Sequence, residues 1–147
     1  YIPPTFIPRA RSQVDDLAQP VVQAATSKQI NYLLRLNVEN GTGRRADAVG
    51  YRVGGKTGTA EKVVNGAYAP DKRRNSFMGA FPMDDPKYAF LVMIDEPQRA
   101  ESGGGVTAGF NAVPTAGRLI ERVAPMLGVA PQFVDQSPGT QPVLASF

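Results

Sequence analysis

Three extended runs in the second half of the chain constrain its fold most: Gly54 to Val64, Asn75 to Phe81, and Tyr88 to Ile94. The links between them are short, and Met83-Asp84-Asp85-Pro86 reads as a turn between the last two. Parallel neighbours need a crossover of a dozen or more residues, so short links favour an antiparallel sheet. The last two runs are nearly continuous in apolar residues, which predicts helices on both sheet faces. A helix is expected before the sheet. Thr26 and Gln29 form a capping box, Ile30, Leu33, Leu34 and Val38 make one apolar face, and Asn40-Gly41 ends it. A second is expected after it, opened by Pro114, with Leu119, Ile120, Val123 and Leu127 as its apolar positions and Gly128 as its stop. The predicted fold class is α/β of the α+β kind, an antiparallel sheet covered by helices.

The rest of the chain reads as connection. Tyr1 to Pro8 holds three prolines and is extended. Gln13 to Ala18 reads as a polar linker, and Val21-Val22 as a brief strand partner. Asn65-Gly66 to Arg74 reads as a long charged hairpin loop, and Gln98 to Gly109 as a mobile glycine-rich one. Residues 129–147, with three prolines and little pattern, read as an extended or disordered tail. The charge, 16 Lys and Arg against 13 Asp and Glu, is mildly basic. Arg44-Arg45 and Lys72-Arg73-Arg74 lack interleaved aromatics and read as solvated loop charge, so no nucleic-acid partner is expected. Neither Cys nor His occurs, which excludes disulfides and removes the usual general base and zinc ligand. Asp84-Asp85 and Asp95-Glu96 are adjacent pairs and mark turns or strand ends rather than a metal site, so no cofactor is expected. The longest clean apolar run, Ala89 to Ile94, falls far short of the ~20 residues a membrane helix needs.

The chemistry concentrates in Gly54-Gly55-Lys56-Thr57-Gly58-Thr59-Ala60. In a strand, Thr57 and Thr59 share a face and Lys56 points the other way unless the strand bends. Gly58 between them lets a ligand or a second backbone come close. One ammonium, two hydroxyls and free backbone N–H groups suit a carboxylate with a developing oxyanion beside it. Two signatures fit. Gly50 to Thr57 matches the phosphate-loop pattern G-x-x-x-x-G-K-[ST], and Asp95 after an apolar run mimics the metal-holding residue of a nucleotide hydrolase. That reading needs a buried strand before Gly50 and a helix starting at Lys56-Thr57. Ala46-Asp47-Ala48-Val49 is short and charged, and the residues after Thr57 are poor helix formers. A non-catalytic binding module is the third reading.

The second signature is K-T-G at Lys56-Thr57-Gly58, which resembles the third motif of the penicillin-binding transpeptidases. The surroundings add to the likeness: Glu39-Asn40-Gly41-Thr42-Gly43-Arg44-Arg45-Ala46 and Gly50-Tyr51-Arg52-Val53 before it, Asn75 to Pro82 and Tyr88 to Pro97 after it, and Tyr1-Ile2-Pro3-Pro4-Thr5 upstream. The ordered set spans most of residues 1–127 and is most similar to the monofunctional class B type, which includes the cell-division transpeptidases. That family also carries S-x-x-K and S-x-N motifs. No serine of this chain has a lysine three residues on or an asparagine two residues on. The expectation is therefore a fragment. Residues 1–128 are a C-terminal portion of a transpeptidase domain with a penicillin-binding, serine β-lactamase-like fold, and the nucleophile lies outside this chain. The resemblance implies that Lys56 supplies positive charge and aids proton movement. It implies that Thr57 and Thr59 bond a substrate or β-lactam carboxylate, that the Thr59 N–H forms half the oxyanion hole, and that Gly58 keeps the strand open for the acyl donor. It gives Gly55 a packing role against the first helix. The implied partners are a peptidoglycan stem peptide, β-lactams, the N-terminal half of the domain and cell-division proteins. The implied location is the cell envelope, on the periplasmic or extracytoplasmic side, with a membrane anchor outside this chain. An incomplete sheet exposes edges, so self-association is expected as well.

Overall fold

The computed structural model describes residues 1–99 and 104–133. Its helices are α1 (Arg11–Leu17), α2 (Ala24–Asn40) and α3 (Ala112–Met126), and its strands are β1 (Gly54–Val64), β2 (Ala67–Phe81) and β3 (Tyr88–Asp95). The three strands form one antiparallel sheet in the order β1-β2-β3.

The hairpin between β1 and β2 is tighter than the sequence reading. Asn65 and Gly66 both take positive φ, 52° and 82°, as a two-residue type I′ turn requires. The charged stretch read as a loop therefore joins β2, which begins at Ala67. The irregularity sits higher up, where Glu61 faces Arg73 but Lys62 faces Ala69.

One face of the sheet carries the core. Phe77, Phe81 and Phe90 stack with ring centroids 5.7 and 6.2 Å apart. Over them lies α3, whose buried positions are Ala112, Val113, Ala116, Gly117, Ile120 and Ala124. Small residues, not Leu119 and Leu127, make this face, because the 3₁₀ turn at Arg44–Ala46 packs directly on the helix. At Gly117 a Cβ would lie 2.8 Å from the Arg45 carbonyl oxygen. The helix begins two residues before Pro114, capped by the Asn111 side chain accepting from the Ala112 N–H. Gly128 ends it at φ 72°. The opposite sheet face stays open among the described residues: Met78, Leu91 and Met93 are 62, 59 and 54% exposed. Helices thus cover one face of the sheet, not both.

The first helical run also differs from expectation. α2 starts at Ala24 with Gln23 as its cap residue, so Thr26 lies inside the first turn and forms no capping box. Two alanines ahead of Thr26 extend the helix cheaply. Only Val38 of its expected apolar face is buried, while Ile30 and Leu33 are about half exposed. The face toward β1 is polar: Arg35 donates to the Val53 carbonyl at 2.8 Å and to Asp47 at 2.7 Å, and Asn37 Nδ2 donates to the Gly55 carbonyl at 2.7 Å. Gly54, rather than Gly55, lies against this helix, 3.1 Å from the Arg35 nitrogen for an added Cβ. Gly55 instead makes room for the Phe77 ring. The stretch read as a polar linker is α1, held by an Arg11–Asp15 ion pair and by Gln13 accepting from the Ala10 N–H, and it buries nothing. Val21 and Val22 pair with no strand. Residues 129–133 are irregular, and the rest of the expected tail lies outside the described residues, as does part of the loop from Gln98 to Gly109. None of the described helices is long and apolar enough to cross a membrane.

Candidate functional site

Among the described residues β1 has a neighbouring strand on one side only, so its other edge decides what it can bind. Along that edge, Val53 and Gly55 offer carbonyls to α2, and the Thr57 carbonyl accepts from Lys56 Nζ at 3.0 Å. In an antiparallel strand a residue's N–H and C=O point to the same side, and the side alternates. Residues 53, 55, 57 and, by the same alternation, 59 therefore turn their backbone groups away from β2. α2 occupies the edge as far as Gly55. Beyond it, the Thr57 and Thr59 backbone groups face outward.

Side-chain faces follow from the register. Thr57 opposes Phe77 and Thr59 opposes Asn75, so both threonines share the core face. Lys56 opposes Met78 and Gly58 opposes Ser76, on the open face. The lysine nevertheless bends round the edge, its ammonium donating to the Thr57 hydroxyl at 3.3 Å as well as to the Thr57 carbonyl. This resolves the alternation problem the sequence posed: one cation and two hydroxyls meet at one margin although their Cα atoms face opposite ways. At Gly58 an added Cβ would sit 2.6 Å from Ser76 Oγ.

Beside the threonines lies a cavity of about 350 Å³ lined by Thr42, Arg44, Arg45, Thr57, Thr59 and Thr107, among others. Thr42 Oγ1 lies 3.1 Å from Thr57 Oγ1 and 3.3 Å from Asn37 Oδ1. Thr59 Oγ1 accepts the Ala108 N–H at 3.2 Å. The Arg45 guanidinium stacks 4.9 Å above the Phe110 ring, a cation–π contact that keeps its charge at the cavity wall. Hydroxyls and guanidiniums without a lining carboxylate among the described residues make an anion-accepting surface.

The sequence reading named Lys56, Thr57, Gly58 and Thr59, and the structure sets all four in the edge strand β1. The reading gave no role to Thr42 and took Arg44 and Arg45 for solvated loop charge, whereas all three line the cavity. Its only available signal was the Gly41-Thr42-Gly43 bend, tied by the Gly41 and Gly43 N–H groups to the Asn37 carbonyl at 2.9 and 3.2 Å. It also missed Asn75, Asn111 and Ala108. The nucleotide reading finds no support here. Lys56 and Thr57 lie inside an antiparallel strand rather than at a helix start. Asp95, two strands away, is held by Lys62 at 3.0 Å and Arg74 at 3.5 Å. The hydrogen bond from Lys62 holds the Asp95 carboxyl below its usual pKa, and bonds to Glu96 and then Asp95 raise that of Lys62.

Comparison with known proteins identifies the family. Residues 1–114 match the family model of the penicillin binding protein transpeptidase domain. Stage V sporulation protein D of Bacillus subtilis is 39% identical over 132 residues, covering 90% of this chain and 20% of that protein. A probable peptidoglycan D,D-transpeptidase FtsI of Caulobacter vibrioides is 43% identical over 119 residues, covering 74% of this chain and 20% of the relative. The apo transpeptidase domain of Burkholderia pseudomallei penicillin-binding protein 3 superposes with a TM-score of 0.69 at 33% identity, over 80% of this chain and 35% of that one. The chain therefore belongs to the penicillin-binding protein transpeptidase family, of the class B type its motif order resembles, and shares that family's fold. It spans about a fifth of the length of the curated relatives it matches.

Proposed function

Starting from that family membership, we propose that this chain supplies the carboxylate-binding edge and half of the oxyanion hole of a peptidoglycan D,D-transpeptidase. The observation that carries the reading is the outward edge at Thr57 and Thr59, which begins where α2 stops covering β1 and adjoins an anion-accepting cavity. The substrate is a stem peptide ending in D-Ala-D-Ala. A serine outside this chain attacks the penultimate carbonyl, the terminal residue leaves, and a second stem's amine takes the acyl group. Thr57 and Thr59 hydroxyls donate to the terminal carboxylate, and the Thr59 N–H donates to the oxyanion. Lys56 holds positive charge over both and aids proton movement between hydroxyls. Gly58 keeps the open face clear for the acyl donor. β-Lactams, whose carboxylate mimics the substrate's, take the same place.

On this reading the open face bearing Met78, Leu91 and Met93 packs against the remainder of the domain, and in the isolated chain it drives self-association. The site works on the extracytoplasmic side of the membrane, alongside cell-division proteins. The test is covalent labelling with a fluorescent penicillin. The full-length protein containing this chain is labelled, its Lys56→Ala variant is not, and residues 1–147 alone are not. Labelling of the isolated chain would place the nucleophile within it and overturn the assignment.

A further inference from the structure

Asn75 is completely buried, the one buried polar or charged residue among the described residues besides the core tyrosine, and it opposes Thr59 across the strands. Its amide nitrogen donates to the Val106 carbonyl at 2.6 Å and to Asn111 Oδ1 at 2.9 Å. Its own Oδ1 is buried without a partner. A buried orphan acceptor is costly and calls for a reason. The orientation is fixed from outside. The Ala112 N–H donates to Asn111 Oδ1 at 2.8 Å, so that oxygen must face the helix end, and only a nitrogen of Asn75 can meet it. Turning the Asn75 amide over would set an oxygen against two acceptors. Both of its protons are thereby committed to the segment from Val106 to Asn111, and the orphan oxygen is the consequence.

That segment carries Ala108, whose N–H donates to Thr59 Oγ1. A hydroxyl has one proton and two lone pairs. With Ala108 bonded to one lone pair, the Thr59 proton is directed elsewhere, and Thr59 lines the cavity. We propose that Asn75 is a positioning residue for anion recognition: by clamping residues 106–111 to β2 it sets the Thr59 hydroxyl as a donor to a carboxylate in the cavity. This rests on the carboxylate-binding role assigned to Thr59 above. Asn75 touches no ligand and acts through the loop.

The experiment uses the full-length protein and a matched pair of probes, a penicillin and its carboxyl methyl ester. The ester keeps the reacting lactam and removes the negative charge. Thr59→Val lowers the ratio of acid to ester acylation about tenfold, as expected for losing one hydrogen bond to a charged group. Asn75→Ala gives the same selective loss, and adding it to Thr59→Val costs no further discrimination. Asn111→Asp keeps the acceptor toward Asn75 and the helix N–H but replaces the amide that donates to the Val106 carbonyl at 3.4 Å, so it retains part of the discrimination, whereas Asn111→Ala loses it. This second pair carries the comparison if Asn75→Ala does not fold. Equal loss for acid and ester in Asn75→Ala and Asn111→Ala, with Thr59→Val still selective, overturns the positioning role alone. A Thr59→Val variant whose acid-to-ester ratio equals that of the wild type overturns the carboxylate reading beneath it.

Discussion

Gly79 is where the motif strand is locked in place, and Gly79→Ala is the sharpest test of that packing. An added Cβ would lie 2.0 Å from the Gly54 carbonyl oxygen and 2.9 Å from the Gly55 Cα, against 3.4 Å for an ordinary contact. The first overlap is about 1.4 Å by that difference, and both obstacles are backbone. No rotamer relieves it, so β1 must move off β2 beside Lys56. Overpacking of this kind costs about 3 kcal/mol, which for a chain near 150 residues lowers Tm by roughly 6–12 °C. Gly58→Ala is the control in the same strand pair. Its Cβ meets only Ser76 Oγ, the end of a rotatable side chain, so the cost is about 1 kcal/mol or less. Ser76→Ala in the same chain removes that cost. Thermal melts followed by circular dichroism read all four proteins. If Gly79→Ala melts with the wild type, β1 is not seated on β2 as described, and the edge geometry assigned to Thr57 and Thr59 goes with it.

Leu33→Asp changes stability by no more than about 0.5 kcal/mol, because Leu33 is half exposed, while Phe77→Ala costs about 3–5 kcal/mol from the centre of the core. Urea midpoints compare the two, and a large loss from Leu33→Asp would mean α2 buries the face the sequence suggested. Asp95 gives a pH signature. Its carboxyl is held low by Lys62, so its contribution is full above the unfolded pKa of about 4 and is lost as pH falls through the lower folded value. The Tm gap between wild type and Asp95→Asn should persist at pH 7 and close on acidification. A gap that widens in acid would contradict the pairing. The isolated chain should sediment as associated species, and Met78→Lys with Leu91→Lys should shift it toward monomer. A monodisperse wild-type monomer would count against an adhesive open face.

The strands were legible because their signals are local. Asn65-Gly66 fixes a turn through two positive φ values, and β3 alternates half-buried and exposed from Tyr88 to Asp95. The expectation of helices on both faces came from reading that run as uniformly apolar. Met78, Leu91 and Met93 are apolar and still exposed, because hydrophobicity records what a face is built to meet and says nothing of whether the partner is in the same chain. α2 shows the opposite error. Its apolar stripe suggested a core face, yet the helix docks through Arg35 and Asn37, whose value lies in backbone carbonyls of β1 that no periodicity reveals.

The site divides along the same line. Lys56, Thr57 and Thr59 could be found because residue types at fixed spacing already define a strand edge with hydroxyls on one side. Arg44 and Arg45 could not, since a loop cation reads as solvated until the fold sets it against a cavity. Asn75 is harder still. In sequence it is one polar residue at the start of an apolar run, and its meaning comes from three partners more than 30 positions away or across the sheet: Val106, Asn111 and Thr59. Buried polar groups are tolerated where each donor has an acceptor waiting, and that condition belongs to tertiary structure. A motif search thus returns the residues proposed to meet a ligand, while a residue proposed to aim them is found only by following each buried proton to its acceptor.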